Sequence, residues 1–182
     1  MSRCVLSIGS NLGDRLGRLQ AVVDALGDSV LAVSPVFETD AWGGVEQEPF
    51  LNAVVIADDP ASDAWDWLRR AQWIENDNER VRTLKWGPRT LDVDLVCCFA
   101  GEGGAEAFSD TEELTLPHPL AHQRAFVLIP WLAVDADAQL SVARRSRPVR
   151  QLVDELDPDE RAGVRPTNLL LNFPLTPPTG SR

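Results

Sequence analysis

Basic residues are scarce in this sequence of 182 residues, and their scarcity limits the partners it can bind. Seventeen lysine and arginine residues stand against 28 acidic ones, for a formal net charge of −11. Duplex nucleic acid needs a basic surface that neutralises its phosphates. We therefore expect no nucleic-acid partner. Lys85 is the one lysine, so the use of arginine rather than lysine at any single position carries no information.

Cysteines and long apolar runs are also few. Of the three cysteines, Cys4, Cys97 and Cys98, two are neighbours in an apolar run, which is typical of buried thiols rather than of a disulfide framework or a zinc site. No apolar run approaches the roughly 18 residues that a membrane-spanning helix requires. The first residues, MSRCVLSIGSNLGD, lack a long apolar stretch followed by a cleavage site. We expect a cytoplasmic protein without a membrane partner.

The hydrophobic periodicity predicts strands and helices in a recognisable order. Strands are predicted over residues 3–10, 30–39, 50–57 and 90–99, the second of them broken by Pro35, and helices over residues 15–26 and 64–79. The apolar face of the second helix is expected to carry Trp65, Leu68, Trp73 and Ile74. The order β-α-β-β-α-β predicts an α+β protein with a ferredoxin-like split βαβ core, in which helices cover an antiparallel sheet.

The rest of the chain carries additions to this core. Residues 100–113 form an acidic, glycine-rich insert, and residues 121–134 are predicted to be helical at least as far as Pro130. Beyond residue 140 we expect an additional C-terminal helical segment with one short helix. We expect a single domain over residues 1–172 and a proline-rich tail over residues 173–182.

The segment WGPRTLDVDL, residues 86–95, carries the clearest chemical signal. Side chains alternate along a strand, so Asp92 and Asp94 share one face while the flanking aliphatic residues share the other. We expect the core on the aliphatic face alone, which leaves both carboxylates on a face that no helix covers. Carboxylates two strand positions apart, about 6.6 Å, can flank a pair of Mg²⁺ ions.

A cluster of positive charge precedes the two aspartates. Residues 80–90 contain Arg80, Arg82, Lys85 and Arg89 and no acidic residue. Mg²⁺ normally arrives with nucleotide phosphates, and arginines bind the remaining phosphate charge in bidentate fashion. The same charges also suit a solvated surface with no ligand.

Two other functional classes remain open on the residues alone. One is a nucleotide-sugar transferase that holds a metal with its D-x-D motif, although such enzymes need a doubly wound domain that the element order does not predict. The other is a non-catalytic ferredoxin-like module that binds a small ligand or a partner protein through its acidic surface.

Four motifs extend the signal beyond a D-x-D pair. The chain resembles the 6-hydroxymethyl-7,8-dihydropterin pyrophosphokinase family over about residues 4–135, because it carries that family's motifs in the same order and at approximately the same spacing. The motifs are LSIGSNLGDR, VSPVFETDAWGG followed by PFLNAVV, RVRTLKWGPRTLDVDL, and LTLPHPLAHQRAFVLIPW. The resemblance implies a monomeric catalytic domain of folate biosynthesis. It would move the pyrophosphoryl group of ATP to 6-hydroxymethyl-7,8-dihydropterin and leave AMP, with two Mg²⁺ ions, brought with ATP, on Asp92 and Asp94.

The resemblance also implies a role for each matching residue. The implied catalytic residues are Arg80, Arg89, Asp92 and Asp94. The implied ATP contacts are Gln72, Arg82, Trp86, Arg89, Thr115, His118 and Arg124. The implied pterin contacts are Thr39, Asp40, Trp42, Phe50, Asn52 and Phe126. Phe50 and Phe126 would sandwich the flat ring, and Asn52 would present a donor and an acceptor to its amide edge. For Gly9 and Asn11 we expect a structural role.

Overall fold

A computed structural model describes residues 2–41, 46–78, 91–100 and 104–174 of the chain. The strands formed by these residues are β1 (Ser2–Ser10), β2 (Val30–Val33), β3 (Phe37–Thr39), β4 (Phe50–Asp59), β5 (Asp92–Ala100), β6 (Ala105–Glu106), β7 (Ser109–Asp110), β8 (Thr115–Leu116), β9 (Gln139–Val142), β10 (Arg145–Pro148) and β11 (Val164–Pro166). The helices are α1 (Arg15–Leu26), α2 (Ala64–Asp77), α3 (Ala125–Val134), α4 (Val149–Glu155) and α5 (Pro158–Ala162).

Seven of the strands in the described residues form one sheet. Its order is β11-β3-β4-β1-β5-β6, and β2 pairs with β4 as well. Every described pairing in this sheet is antiparallel. The central strands β1 and β4 pair along their length, from Ser2 opposite Asp59 to Ser10 opposite Leu51. Helices packed on an antiparallel sheet confirm the predicted α+β class.

The first helix begins and ends where its sequence predicts. The side chain of Asp14 accepts the backbone N–H of Gly17 at 3.0 Å and so caps α1. Leu19, Val22 and Leu26 recur at helical spacing and are buried against the sheet. The predicted bounds, residues 15–26, are confirmed.

The second helix has a different buried face from the predicted one. Asp63 and Asp66 form a reciprocal capping box at its start. Trp67 is fully buried, whereas Trp73 is 61% exposed, so the prediction that Trp73 faces the core is wrong. Ile74, seven residues after Trp67, is buried as expected. The turn of the helix selects Trp67 and Ile74 as one stripe and leaves Trp73 about a quarter turn outside it.

The sheet has a hydrophobic core on each face. Leu6 and Val55 pack under α1 and α2 on one face. Val54 and Val96 pack on the other face against residues of α3 and α4, with the hairpin β9–β10 contributing Leu140. The expectation of a core on one face alone is therefore wrong. The continuous apolar run of β4 explains the difference, since a strand with both faces covered reads as an unbroken apolar run.

The C-terminal half confirms one prediction, a helix that reaches at least to Pro130, and departs from another. Helix α3 continues through Pro130 to its end, because Leu128 and Trp131 are both fully buried around the proline and their packing outweighs its missing N–H. After the hairpin β9–β10 the chain forms two helices, α4 and α5, rather than one, and then adds β11 to the edge of the sheet. Among the described residues, no helix has the length and apolar character needed to cross a membrane.

Candidate active site

Asp92 and Asp94 lie at the start of β5 and point to the same side of the sheet. Both are half-buried, whereas Leu91, Val93 and Leu95 are buried in the core under α1 and α2. The strand alternation expected from the sequence is confirmed. Two carboxylates therefore share one space.

The peptide between the two aspartates is held from the opposite face. Val93 donates its backbone N–H to Glu75 Oε1 at 2.8 Å. Glu75 belongs to α2 and is only 6% exposed. Sequence reasoning missed this residue. The available signal was its spacing, since Glu75 lies eight residues after Trp67, on the stripe that the helix buries.

The start of α3 reaches over the aspartate face. Arg124, which precedes this helix and is 5% exposed, places Nη1 3.7 Å from Asp94 Oδ2. Its guanidinium carbon lies 5.4 Å from the centre of the Phe126 ring. The expectation that no helix covers this face is therefore wrong. A buried guanidinium beside a carboxylate suits a site where phosphate charge is to be shared between cations.

His118 is a neutral hydrogen-bonding group in this environment. Its Nδ1 accepts the backbone N–H of Leu120 at 3.1 Å, which assigns the proton of the neutral ring to Nε2. Burial, and after it the positive charge of Arg124, lower the pKa of His118 to about 4, against an opposing effect of Asp92. The ring is therefore neutral at physiological pH and offers Nε2–H as a donor.

His118 and Thr115 line a cavity of about 240 Å³. The tip of the hairpin β9–β10 forms another wall, where the guanidinium carbon of Arg144 lies 4.9 Å from the centre of the Phe108 ring. The structure thus brings together two of the residues matched to ATP contacts. Gln72 is exposed on α2, and the contacts among the described residues do not tie it to this group.

A second group of predicted residues meets across β3 and β4. Thr39 donates its hydroxyl to Asn52 Oδ1 at 2.5 Å, and Asn52 Nδ2 donates to the carbonyl of Ile8 at 3.3 Å. Thr39 and Asn52 are 2% and 5% exposed, so the orientation of the Asn52 amide is set inside the protein. Phe50, half-buried, lies two residues before Asn52 on the same face of β4.

Gly9 is required by the close approach of Asn52. A Cβ atom at this position would lie 2.5 Å from Asn52 Nδ2. Asn11, two residues further, donates to the carbonyl of Glu48 at 3.0 Å and to Gln47 Oε1 at 2.9 Å. Both residues therefore support neighbours of the site, in line with the structural role expected for them.

A smaller cavity of about 80 Å³ lies beside Thr39, a member of this second group. Thr39, Asp40 and Phe126 line one side of it, and residues of α5 and β11 line the other. Three residues matched to the pterin pocket are thus brought to one place. The predicted residues Trp42, Arg80, Arg82, Trp86 and Arg89 lie outside the described part of the chain.

The donor set at the aspartates fits one kind of metal. In the part of the chain that the structure describes, no three His, Cys, Asp or Glu side chains are grouped closely enough to hold a metal ion by themselves. A zinc site normally needs three or four such ligands. Mg²⁺ is instead held by one or two carboxylates and completes its shell with water and substrate phosphates. Asp92 and Asp94 match that second pattern.

A family model decides the classification. The model described as 7,8-dihydro-6-hydroxymethylpterin-pyrophosphokinase (HPPK) matches residues 5–136, a span that contains every candidate residue named above. The chain belongs to the HPPK family. A relative from Mycobacterium bovis is 59% identical over 168 residues, which cover 91% of this chain and 89% of the relative. A relative from Mycobacterium leprae is 58% identical over 182 residues, which cover 98% of this chain and 95% of the relative. Both are named 2-amino-4-hydroxy-6-hydroxymethyldihydropteridine pyrophosphokinase.

Solved structures extend the likeness to distant HPPK proteins. The HPPK-DHPS triple mutant of Plasmodium falciparum with pteroate superposes with a TM-score of 0.59 at 12% identity and covers 85% of this chain. The chain corresponds to 43% of that longer protein. At this identity the likeness supports the fold alone, an antiparallel sheet with helices.

Proposed function

We propose that the chain transfers the pyrophosphoryl group of ATP to the hydroxymethyl oxygen of 6-hydroxymethyl-7,8-dihydropterin, giving AMP and the pterin methyl diphosphate for folate biosynthesis. The observation that carries the proposal is the pair Asp92 and Asp94 with Arg124 beside them, inside the segment that matches the HPPK family. The identity of 58–59% to pyrophosphokinases over most of the chain supports it.

The proposed scaffold is a ferredoxin-like core within one catalytic domain over residues 1–172. The strand order β5-β1-β4-β3, with α1 and α2 on one face, supports this assignment. Residues 173–182 are the proposed tail. We further assign the chain a monomeric state in the cytoplasm, and its net charge of −11 supports small-molecule substrates rather than nucleic acid.

Asp92 and Asp94 would hold two Mg²⁺ ions that arrive with ATP. When bound, such ions neutralise phosphate charge and polarise the phosphoryl oxygens. Arg124 adds a buried cation beside Asp94, and His118 adds a neutral donor through Nε2. Arg80 and Arg89 complete the proposed catalytic set. The proposed ATP contacts are Gln72, Arg82, Trp86, Arg89, Thr115, His118 and Arg124.

The proposed pterin site uses the oriented amide of Asn52. Because Thr39 donates to its Oδ1, the amide has one orientation in which to meet the amide edge of the pterin. Phe50 and Phe126 would lie on the two faces of the ring. The remaining proposed contacts are Thr39, Asp40 and Trp42.

A single-turnover experiment tests which phosphorus is attacked. Enzyme in excess over 6-hydroxymethyl-7,8-dihydropterin is mixed with MgATP, quenched at intervals and separated by chromatography. AMP is expected to rise in step with the pterin diphosphate, without ADP. Formation of ADP with a pterin monophosphate would contradict pyrophosphoryl transfer while leaving the metal site in place.

A further inference from the structure

The chain beyond the family match returns to the pterin side of the site. The family model ends at residue 136, but β11 pairs with β3 so that Val164 lies opposite Thr39. One residue further along the chain, Asp40 donates its backbone N–H to the carbonyl of Gly163 at 3.0 Å. The C-terminal segment therefore forms the edge of the sheet next to Thr39.

One guanidinium spans the two carboxylates on either side of Thr39. Arg165 Nη1 donates to Asp40 Oδ1 at 2.8 Å, and Nη2 donates to Glu38 Oε1 at 3.4 Å. Arg165 is partly exposed, as are both carboxylates. Exposed ion pairs of this kind contribute little to stability, but they restrict the side chains of Glu38 and Asp40 on either side of Thr39, at the end of β3 that pairs with β11. That end carries Thr39, which orients Asn52.

The same segment also contacts the other wall of the site. The Glu160 carboxylate of α5 lies beside the backbone N–H of Ala125, the first residue of α3. A negative charge at this position favours the helix start. The next residue is Phe126, which lines the 80 Å³ cavity together with Glu160 and Gly163. Residues 158–166 therefore contact both β3 and the start of α3, which lie far apart in the sequence.

We propose that residues 158–166, here termed the C-terminal clasp, position the walls of the pterin site, and that Arg165 is a positioning residue for pterin binding. The inference rests on the proposed function. Arg165 acts through Glu38 and Asp40, which hold the end of β3 and with it the Thr39 hydroxyl. ATP binding should not depend on the clasp, because Thr115 and His118 line a different cavity.

Steady-state kinetics on the full chain test the clasp with a matched control. Arg165→Ala is compared with Arg147→Ala, which removes a separate ion pair, Arg147 with Glu155, between β10 and α4. For Arg165→Ala we expect the KM for the pterin to rise about fivefold or more, since small displacements of positioning groups have large kinetic effects. The KM for MgATP and the thermal midpoint should stay unchanged. Arg147→Ala should match wild type in every measurement.

Two milder variants extend the test. Arg165→Lys keeps the charge but cannot span both carboxylates as a fork, so it should give a smaller rise in the pterin KM. Gly163→Ala places a Cβ 3.3 Å from Asp40 Oδ2 and should raise the pterin KM without removing any charge. Wild-type turnover is measured first, because its absence would refute the proposed function itself. With an active wild type, an unchanged pterin KM in these variants, or an equal rise in both KM values, would overturn the clasp.

Discussion

Glu75 of α2 accepts the backbone N–H of Val93 at 2.8 Å, directly between the two aspartates of β5. The side chains of Asp92 and Asp94 point away from Glu75, on the other face of the strand. The buried carboxylate therefore holds the strand from behind, while the two aspartates lie on its other face, where Arg124 Nη1 is 3.7 Å from Asp94 Oδ2. Its position explains why a charged residue occurs on the buried stripe of α2.

Removal of the Glu75 acceptor should destabilise the protein. Glu75→Ala leaves the buried N–H of Val93 without this partner, and we expect a loss of about 1–3 kcal/mol in the free energy of unfolding. Glu75→Gln keeps an acceptor oxygen and should retain most of that energy. Urea unfolding at neutral pH measures both, with Asp77→Ala on the exposed face of α2 as the control. Equal losses for the Ala and Gln variants would show that the hydrogen bond to Val93 is not the cause.

Loss of either aspartate charge should abolish most turnover and leave the fold intact. A carboxamide keeps the shape of the side chain but not the charge that a divalent cation requires, so Asp92→Asn and Asp94→Asn should each reduce kcat by about 100-fold or more. Circular dichroism should be unchanged. Asp154→Asn, an exposed position on α4, serves as the control. Near-normal turnover in either variant would refute the metal assignment.

His118 should make stability fall as the solution becomes acidic. Its pKa is lowered from 6.5 to about 4 in the folded state by burial and by Arg124. As the pH falls below 6.5, the unfolded chain takes up a proton at this residue before the folded chain does. Protonation therefore stabilises the unfolded state relative to the folded state. The contribution is fully present above pH 6.5 and is lost as the pH falls towards 4. Between about pH 7.5 and pH 5 this loss amounts to about 2 kcal/mol.

A histidine-specific comparison isolates this effect. His118→Asn keeps an oxygen that can accept the N–H of Leu120 but does not titrate, so its free energy of unfolding should vary less with pH than that of wild type. The sequence has two histidines, and His122→Gln should retain the wild-type slope. Urea unfolding without Mg²⁺ at several pH values gives all three slopes. Parallel curves for wild type and His118→Asn would contradict the lowered pKa.

The hydroxyl of Thr39 should matter for pterin binding through Asn52. Thr39→Val keeps the side-chain shape but removes the donor to Asn52 Oδ1, so the amide is held only by its longer hydrogen bond to the carbonyl of Ile8. We expect the affinity for the pterin to fall about tenfold, the usual consequence of leaving a buried polar group without its partner. Thr39→Ser retains the hydroxyl and is the matched control. Equilibrium titration with the pterin measures both, and equal affinities for the Val and Ser variants would rule out this role.

Local patterns in the sequence predicted the elements whose formation depends on neighbouring residues. The alternation around Val93 placed Asp92 and Asp94 on one face, and the apolar stripe of α1 gave its bounds. Trp73 was misassigned because a helix of mixed aromatic residues offers more than one plausible stripe, and the sheet selects between them. The roles expected for Trp42, Arg80, Arg82, Trp86 and Arg89 stay predictions.

The sequence by itself determined the family, the α+β class and the paired aspartates, since these follow from motifs and short-range periodicity. Tertiary structure alone decided which distant groups meet them: Arg124 beside Asp94, and Arg165 beside Asp40, 125 residues earlier in the chain. Such contacts depend on the face of the sheet on which α3 packs and on the edge to which β11 adds. Burial and pairing over the whole chain set both, and no local pattern of side chains encodes them.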